Sequence, residues 1–90
     1  MTPQEFFKKD LFAGKTGVEL IEIKEGYSKA RLVITEEHLN AGHRTQGGAL
    51  FTLADLALAA AANSHGVLSF SLSSNITFLR GSGVGDTLYA

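Results

Sequence analysis

The sequence contains no cysteine, which excludes disulfides, thiolate nucleophiles and thiolate metal ligands and accords with a reducing compartment. It also lacks an excess of either charge: eight lysines and arginines stand against nine aspartates and glutamates, a net charge of −1 with no run of like sign. Nothing in that balance recruits nucleic acid or an anionic membrane. No basic segment followed by an apolar run opens the chain, so neither a secretory signal nor a membrane anchor is visible, and a cytoplasmic protein is expected. Internal repeats, low-complexity tracts and interdomain linkers are missing too. The 90 residues then allow one small domain, 1–90, with a modest core that self-association would help.

What the chain does have is the stretch 46–63, QGGALFTLADLALAAAAN. Leu50, Leu53, Ala54, Ala57, Leu58 and Ala61 follow the i, i+3, i+4, i+7 spacing of an amphipathic helix. The opposite side, with Phe51, Leu56, Ala59, Ala60 and Ala62, is apolar as well, so the helix is expected in an interior. Six alanines between Ala54 and Ala62 favour the helix and let a second layer approach closely, which suits a central helix wrapped by a sheet. Burial of its four leucines and Phe51 would contribute roughly 8 to 15 kcal/mol before chain entropy is subtracted. The apolar run is shorter than the ~20 residues of a membrane span, and Asp55 interrupts it.

Around this helix the remaining segments read in order. Thr2-Pro3-Gln4-Glu5 has the form of a capping box with proline at the first helical position, predicting a short helix through Phe6, Phe7 and Leu11 that stops near Gly14. Residues 18–24, with Ile21 and Ile23 alternating against Glu22 and Lys24, and residues 27–34, with Ala30, Leu32 and Ile34 opposite Lys29 and Arg31, predict a hairpin. It turns at Glu25-Gly26 and has one wet face. Residues 35–45 are polar and aperiodic, a loop that delivers the chain to the central helix. Asn63-Ser64-His65-Gly66 should end that helix. Leu68, Phe70, Leu72, Ile76 and Phe78 alternate with Ser69, Ser71, Ser73, Asn75 and Thr77, predicting a long curved strand. A loop through Gly81, Gly83 and Gly85 leads to a further strand that opens at Thr87, reaches the last residue and presents an unpaired edge.

Three features near the start of the central helix could carry chemistry. At Gly47-Gly48 the first-turn N–H groups have no intrahelical partner, and with the helix dipole they can stabilise an oxyanion. The alternative is that the glycines only permit close packing or a tight turn. Asp55, two turns on, would be costly in apolar surroundings unless paired, and desolvation would make it a stronger base. Its structural alternatives are an ion pair with Arg31 or Arg80, or a place in solvent. Asn40 and Gln46 carry amides that can orient a water or a carbonyl but cannot shuttle protons. His38, His43 and His65 match no metal-ligand spacing, and no metal site is expected.

Taken together, Asn40, Gln46-Gly47-Gly48, Leu53-Ala54-Asp55, Asn63-Ser64-His65-Gly66, Asn75-Ile76-Thr77-Phe78-Leu79-Arg80 and Gly85-Asp86 closely resemble the hotdog-fold acyl-CoA thioesterases of the phenylacetate-degradation (PaaI-like) type. The match runs from about Gly17 to the end of the sequence. The resemblance implies an α+β hotdog fold, a long central helix wrapped by a curved antiparallel sheet. It also implies dimers whose sheets join, often pairing again into tetramers, and active sites at the subunit interface. Carried onto this chain, Asp55 is the general base or nucleophile, the Gly48 amide the oxyanion donor and Asn40 a group that positions water or substrate, with Gln46 and Gly47 on the substrate side. The implied reaction is hydrolysis of a small aryl or short to medium acyl-CoA, without cofactor. Two departures stand out: Gln46 occupies the place of the family's usual histidine and cannot become charged, and family members continue past Ala90 through further sheet strands. A module that binds an acyl-CoA without turnover, and a structural oligomerisation domain, are the rival expectations.

Overall fold

Thr2 Oγ1 accepts from the Glu5 amide at 3.1 Å while the Glu5 carboxylate accepts from the Thr2 N–H, completing the expected capping box of helix α1, Pro3–Phe7. The structure, a computed structural model, describes residues 2–90. The single N-terminal helix expected up to Gly14 is in fact two. Asp10 stands in extended backbone and accepts from the Ala13 amide at 3.0 Å, so it starts helix α2, Leu11–Thr16, rather than continuing α1. A short acidic side chain satisfies a helix start better than a helix interior. The stop is Gly17, left-handed at φ 96°, and not Gly14.

Strands β1, Glu19–Lys24, and β2, Tyr27–Val33, form the predicted hairpin, with Lys24 opposite Tyr27 and Gly26 at φ 72° in the turn. Within it, Leu20 pairs with Ala30 but Glu22 pairs with Lys29, so Ile21 is an extra residue and the strand changes phase. Ile21, expected on the same face as Ile23, is turned out and 41% exposed, while Leu20 and Ile23 are half-buried. On β2 the alternation holds: Ala30, Leu32 and Ile34 are buried. Its wet face carries Arg31, paired with Glu19 at 3.2 Å. The hydrogen bond to Glu19 and then its charge hold the Arg31 guanidinium above its ordinary value. Strand β3, Thr87–Tyr89, pairs antiparallel with β2, giving the order β1-β2-β3 among the described residues.

Helix α3, Gly47–Asn63, lies across this sheet, and Ser28 Oγ donates to the Ala57 carbonyl at 2.5 Å to tie the two layers. The core joins Ala49, Leu53 and Leu56 of the helix to Ala30, Leu32 and Ile34, with Ala13 and Val18 closing one end. The buried stripe on α3 is Ala49, Leu53, Leu56 and Ala60, rotated from the expected one. Of the four leucines and Phe51, only Leu53 and Leu56 are buried; Leu50 and Phe51 are half-buried and Leu58 is 49% exposed. A helix apolar on all sides does not define its own inward face, and within this chain the sheet covers only one side of it.

The long strand expected around Leu68 to Phe78 does not form within this chain. Alternation predicts a strand, but a ladder needs a hydrogen-bonded neighbour, and β1, β2 and β3 pair only with one another. Phe70, Leu72 and Leu79 are left exposed. Asn63 fastens the start of the segment, its Nδ2 donating to the Ser69 carbonyl at 3.0 Å and its Oδ1 accepting from the Ser69 amide at 2.8 Å. No helix among the described residues is long and apolar enough to cross a membrane.

Candidate active site

The polar loop 35–45 is held at both ends before it reaches α3. Glu36–His38 forms a 3₁₀ turn in which His38 Nδ1 accepts from the Thr35 amide at 2.9 Å and His38 Nε2 meets the Thr16 carbonyl at 2.5 Å. A carbonyl only accepts, so the ring proton belongs on Nε2 and the histidine is a structural clasp between the loop and α2. Asn40 Oδ1 accepts from the amides of Gly42 and Arg44 at 2.9 and 3.1 Å. Its oxygen is therefore committed to turn chemistry, and what it can still offer is its Nδ2. Asn40 lines a cavity of about 380 Å³ with Gly47, Leu50, Phe78 and Arg80. The Gln46 amide then donates to the His38 carbonyl at 2.8 Å, which aims the chain into the helix.

At the helix start, a Cβ at position 47 would stand 2.9 Å from the Phe78 ring, whereas one at position 48 would meet only the end of the Gln46 side chain, 2.6 Å from its Oε1. Gln46 is the N-cap residue, and its Oε1 accepts the Gly48 N–H. The amide expected as an open oxyanion donor is thus engaged by a neighbouring side chain. Gly48 itself is exposed and borders a groove of about 390 Å³ with Gln46, Thr52, Phe12, Lys15 and His38.

Asp55 is the largest correction to the sequence reading. It is exposed, not buried, and neither Arg31 nor Arg80 pairs with it; the ion pairs among the described residues are Glu22–Lys24, Glu19–Arg31 and Glu25–His65. The reason is its phase on α3: it follows Gly48 and Thr52 at helical spacing on the side turned away from the sheet. It borders a cavity of about 520 Å³ lined largely by apolar groups, among them Phe6, Phe7, Leu58, Leu68 and Phe70. The Phe6 and Phe7 rings meet edge to face, 5.1 Å apart at 87°. The sequence alone did not place these two beside Asp55; the available signal was an aromatic pair directly after a capping box. Gly48 and Asp55 stand seven residues apart, about 10 Å along the helix axis, and open onto different cavities. One chain therefore does not bring the carboxylate and the Gly48 amide to one point.

Residues 45–90, the part that holds both groups, match the thioesterase superfamily. The chain belongs to that superfamily. An acyl-coenzyme A thioesterase named PaaI from Escherichia coli is 37% identical over 84 residues, covering 93% of this chain and 60% of the relative. A protein of Archaeoglobus fulgidus whose name assigns it to the esterases is 40% identical over 84 residues, covering 93% of this chain and 54% of its own length. The chain thus spans little more than half the length of the curated relatives it matches. The solved structure of the E. coli PaaI protein from the phenylacetic acid degradation operon superposes with a TM-score of 0.89 at 35% identity, covering 94% of this chain and 62% of that one. The α+β arrangement of α3 laid across an antiparallel sheet is the hotdog fold of PaaI-like thioesterases.

Proposed function

We propose that this protein hydrolyses acyl-CoA thioesters, with a small aryl or a short to medium acyl group, to the free acid and CoA. The observation that carries the reading is an unpaired carboxylate, Asp55, at an apolar cavity of a thioesterase-superfamily chain. The name of the E. coli relative supports the substrate class. In the reaction the Gly48 N–H polarises the thioester carbonyl, and charge developing on its oxygen is stabilised by the helix start. Asp55 either takes a proton from the water that attacks the carbonyl carbon, or attacks that carbon itself to give an acyl-aspartyl anhydride that water then hydrolyses; in both cases the carbon–sulfur bond breaks and the thiolate of CoA leaves. The Nδ2 of Asn40 positions water or substrate, and Gln46 and Gly47 border the substrate. Water attack on a thioester calls for no cofactor.

Because Gly48 and Asp55 open onto different cavities of the chain, we infer that each site takes the amide from one copy and the carboxylate from another, in a dimer or a tetramer. We assign the protein to the cytoplasm, with neither nucleic acid nor membrane as partner. Two measurements on the full-length protein test this. Asp55→Asn should abolish hydrolysis across a thioester panel; robust rates equal to wild type would remove Asp55 from the mechanism. Mixing Asp55→Asn with Gly48→Pro, each inactive alone, should restore about a quarter of the wild-type rate, since half the dimers are mixed and each holds one intact site. No recovery on mixing, with subunit exchange verified, would overturn the shared site.

A second reading, a module that binds acyl-CoA without turning it over, draws on one observation: the Gly48 amide is engaged by Gln46. Tight binding of acyl-CoA with no turnover by the wild-type protein would favour it, and steady turnover would exclude it.

A further inference from the structure

We propose that Gln46 gates the Gly48 amide: its side-chain oxygen holds that N–H in the ligand-free protein and must swing away before a substrate carbonyl can take its place. This rests on the hydrolase reading above for the identity of the incoming carbonyl, but the gate itself rests on the hydrogen bond. Gln46 Oε1 accepts from the Gly48 amide, and it lies so close that a Cβ on residue 48 would collide with it at 2.6 Å. Two carbonyl oxygens aligned on one helix-start amide compete, so occupancy by Gln46 and by substrate exclude each other.

The contact is built to be released. Serine, threonine, aspartate and asparagine cap helices well because their oxygen is one or two bonds from the backbone; glutamine is longer and must fold back, losing more rotamer freedom for the same bond. The backbone of Gln46, by contrast, is held on both sides, its N–H donating to the His38 carbonyl at 2.8 Å and its carbonyl accepting from the Ala49 amide at 3.0 Å. Opening therefore needs only side-chain rotation. The residue is exposed, and the neighbouring groove, about 390 Å³ between α2 and the start of α3, has room for the displaced carboxamide.

Gln46 is thus a positioning residue that acts through Gly48, and it sets affinity for the acyl carbonyl. The test uses the full-length protein with Gln46→Ala and Gln46→Asn. In the ligand-free protein, amide hydrogen exchange read by NMR should show the Gly48 N–H protected in wild type, exposed in Gln46→Ala, and protected in Gln46→Asn, which restores a good cap. A ketone analogue of acyl-CoA, with CH₂ in place of sulfur, should bind Gln46→Ala about two- to tenfold more tightly than wild type, the fold-change equivalent to a weak cap. It should bind Gln46→Asn no more tightly than wild type. Equal Gly48 exchange in wild type and Gln46→Ala, or analogue binding to Gln46→Ala that is unchanged or weaker, would overturn the gate. Absence of thioester turnover by wild type would instead overturn the hydrolase reading, leaving the exchange and analogue binding to decide the gate.

Discussion

On one side of α3, Ala49, Leu53, Leu56 and Ala60 are closed off by β2 and its neighbours, whereas on the other Gly48, Asp55, Leu58 and Ala62 remain exposed beside cavities. Both sides carry leucine and alanine, but the closed side carries no polar side chain, while the open side carries Thr52 and Asp55. The closed face supplies stability through burial, and the open face is free to supply chemistry. The glycines at the helix start belong to the open face too, where their missing side chains admit the Phe78 ring and the Gln46 carboxamide.

Substitutions on the two faces should therefore break different properties. The largest effect is expected from Asp55→Asn, which should lower thioester hydrolysis by about a hundredfold to ten-thousandfold while moving unfolding stability by less than about 0.5 kcal/mol. Steady-state kinetics and denaturant unfolding on the same sample measure both, and a large stability change would show that Asp55 is a packing residue. Next, Leu53→Ala on the closed face should cost about 2 to 5 kcal/mol of unfolding free energy. Its open-face counterpart Leu58→Ala should cost less than about 1 kcal/mol and instead raise KM, because Leu58 borders the Asp55 cavity. If the two leucines proved equally costly, the distinction between the faces would fail. The finest test pairs two alanines: Ala60→Leu should destabilise by about 1 to 3 kcal/mol through overpacking, and Ala62→Leu should stay within about 0.5 kcal/mol in chemical unfolding.

The candidate site was partly legible before the fold was known. The Gly-Gly helix start, Asp55 and Asn40 could each be picked out from residue type and spacing, and the resemblance linked them. Their surroundings could not. Asp55 could be placed in an apolar interior, beside an arginine or in solvent, and only the fold shows it exposed at a cavity that it shares with the aromatic pair of α1. Asn40 could be read either as a group that orients water or as turn chemistry, and the turn to Arg44 consumes its oxygen. Gln46 gave no sign of capping Gly48, since glutamine is not a preferred cap residue.

Local chemistry by itself determined the capping box at Thr2 and Glu5, the turn at Gly26, and the alternation that sets Ala30, Leu32 and Ile34 on one face. Each depends on residues within a few positions of one another, where backbone preference and alternation decide the outcome. Only the tertiary structure decided the bulge at Ile21, the face of α3 that meets the sheet, the exposure of Asp55, and the absence of a ladder partner for residues 67–80 within this chain. These depend on which element packs against which, and a helix or strand apolar on more than one side is compatible with several packings until a neighbour covers one of them.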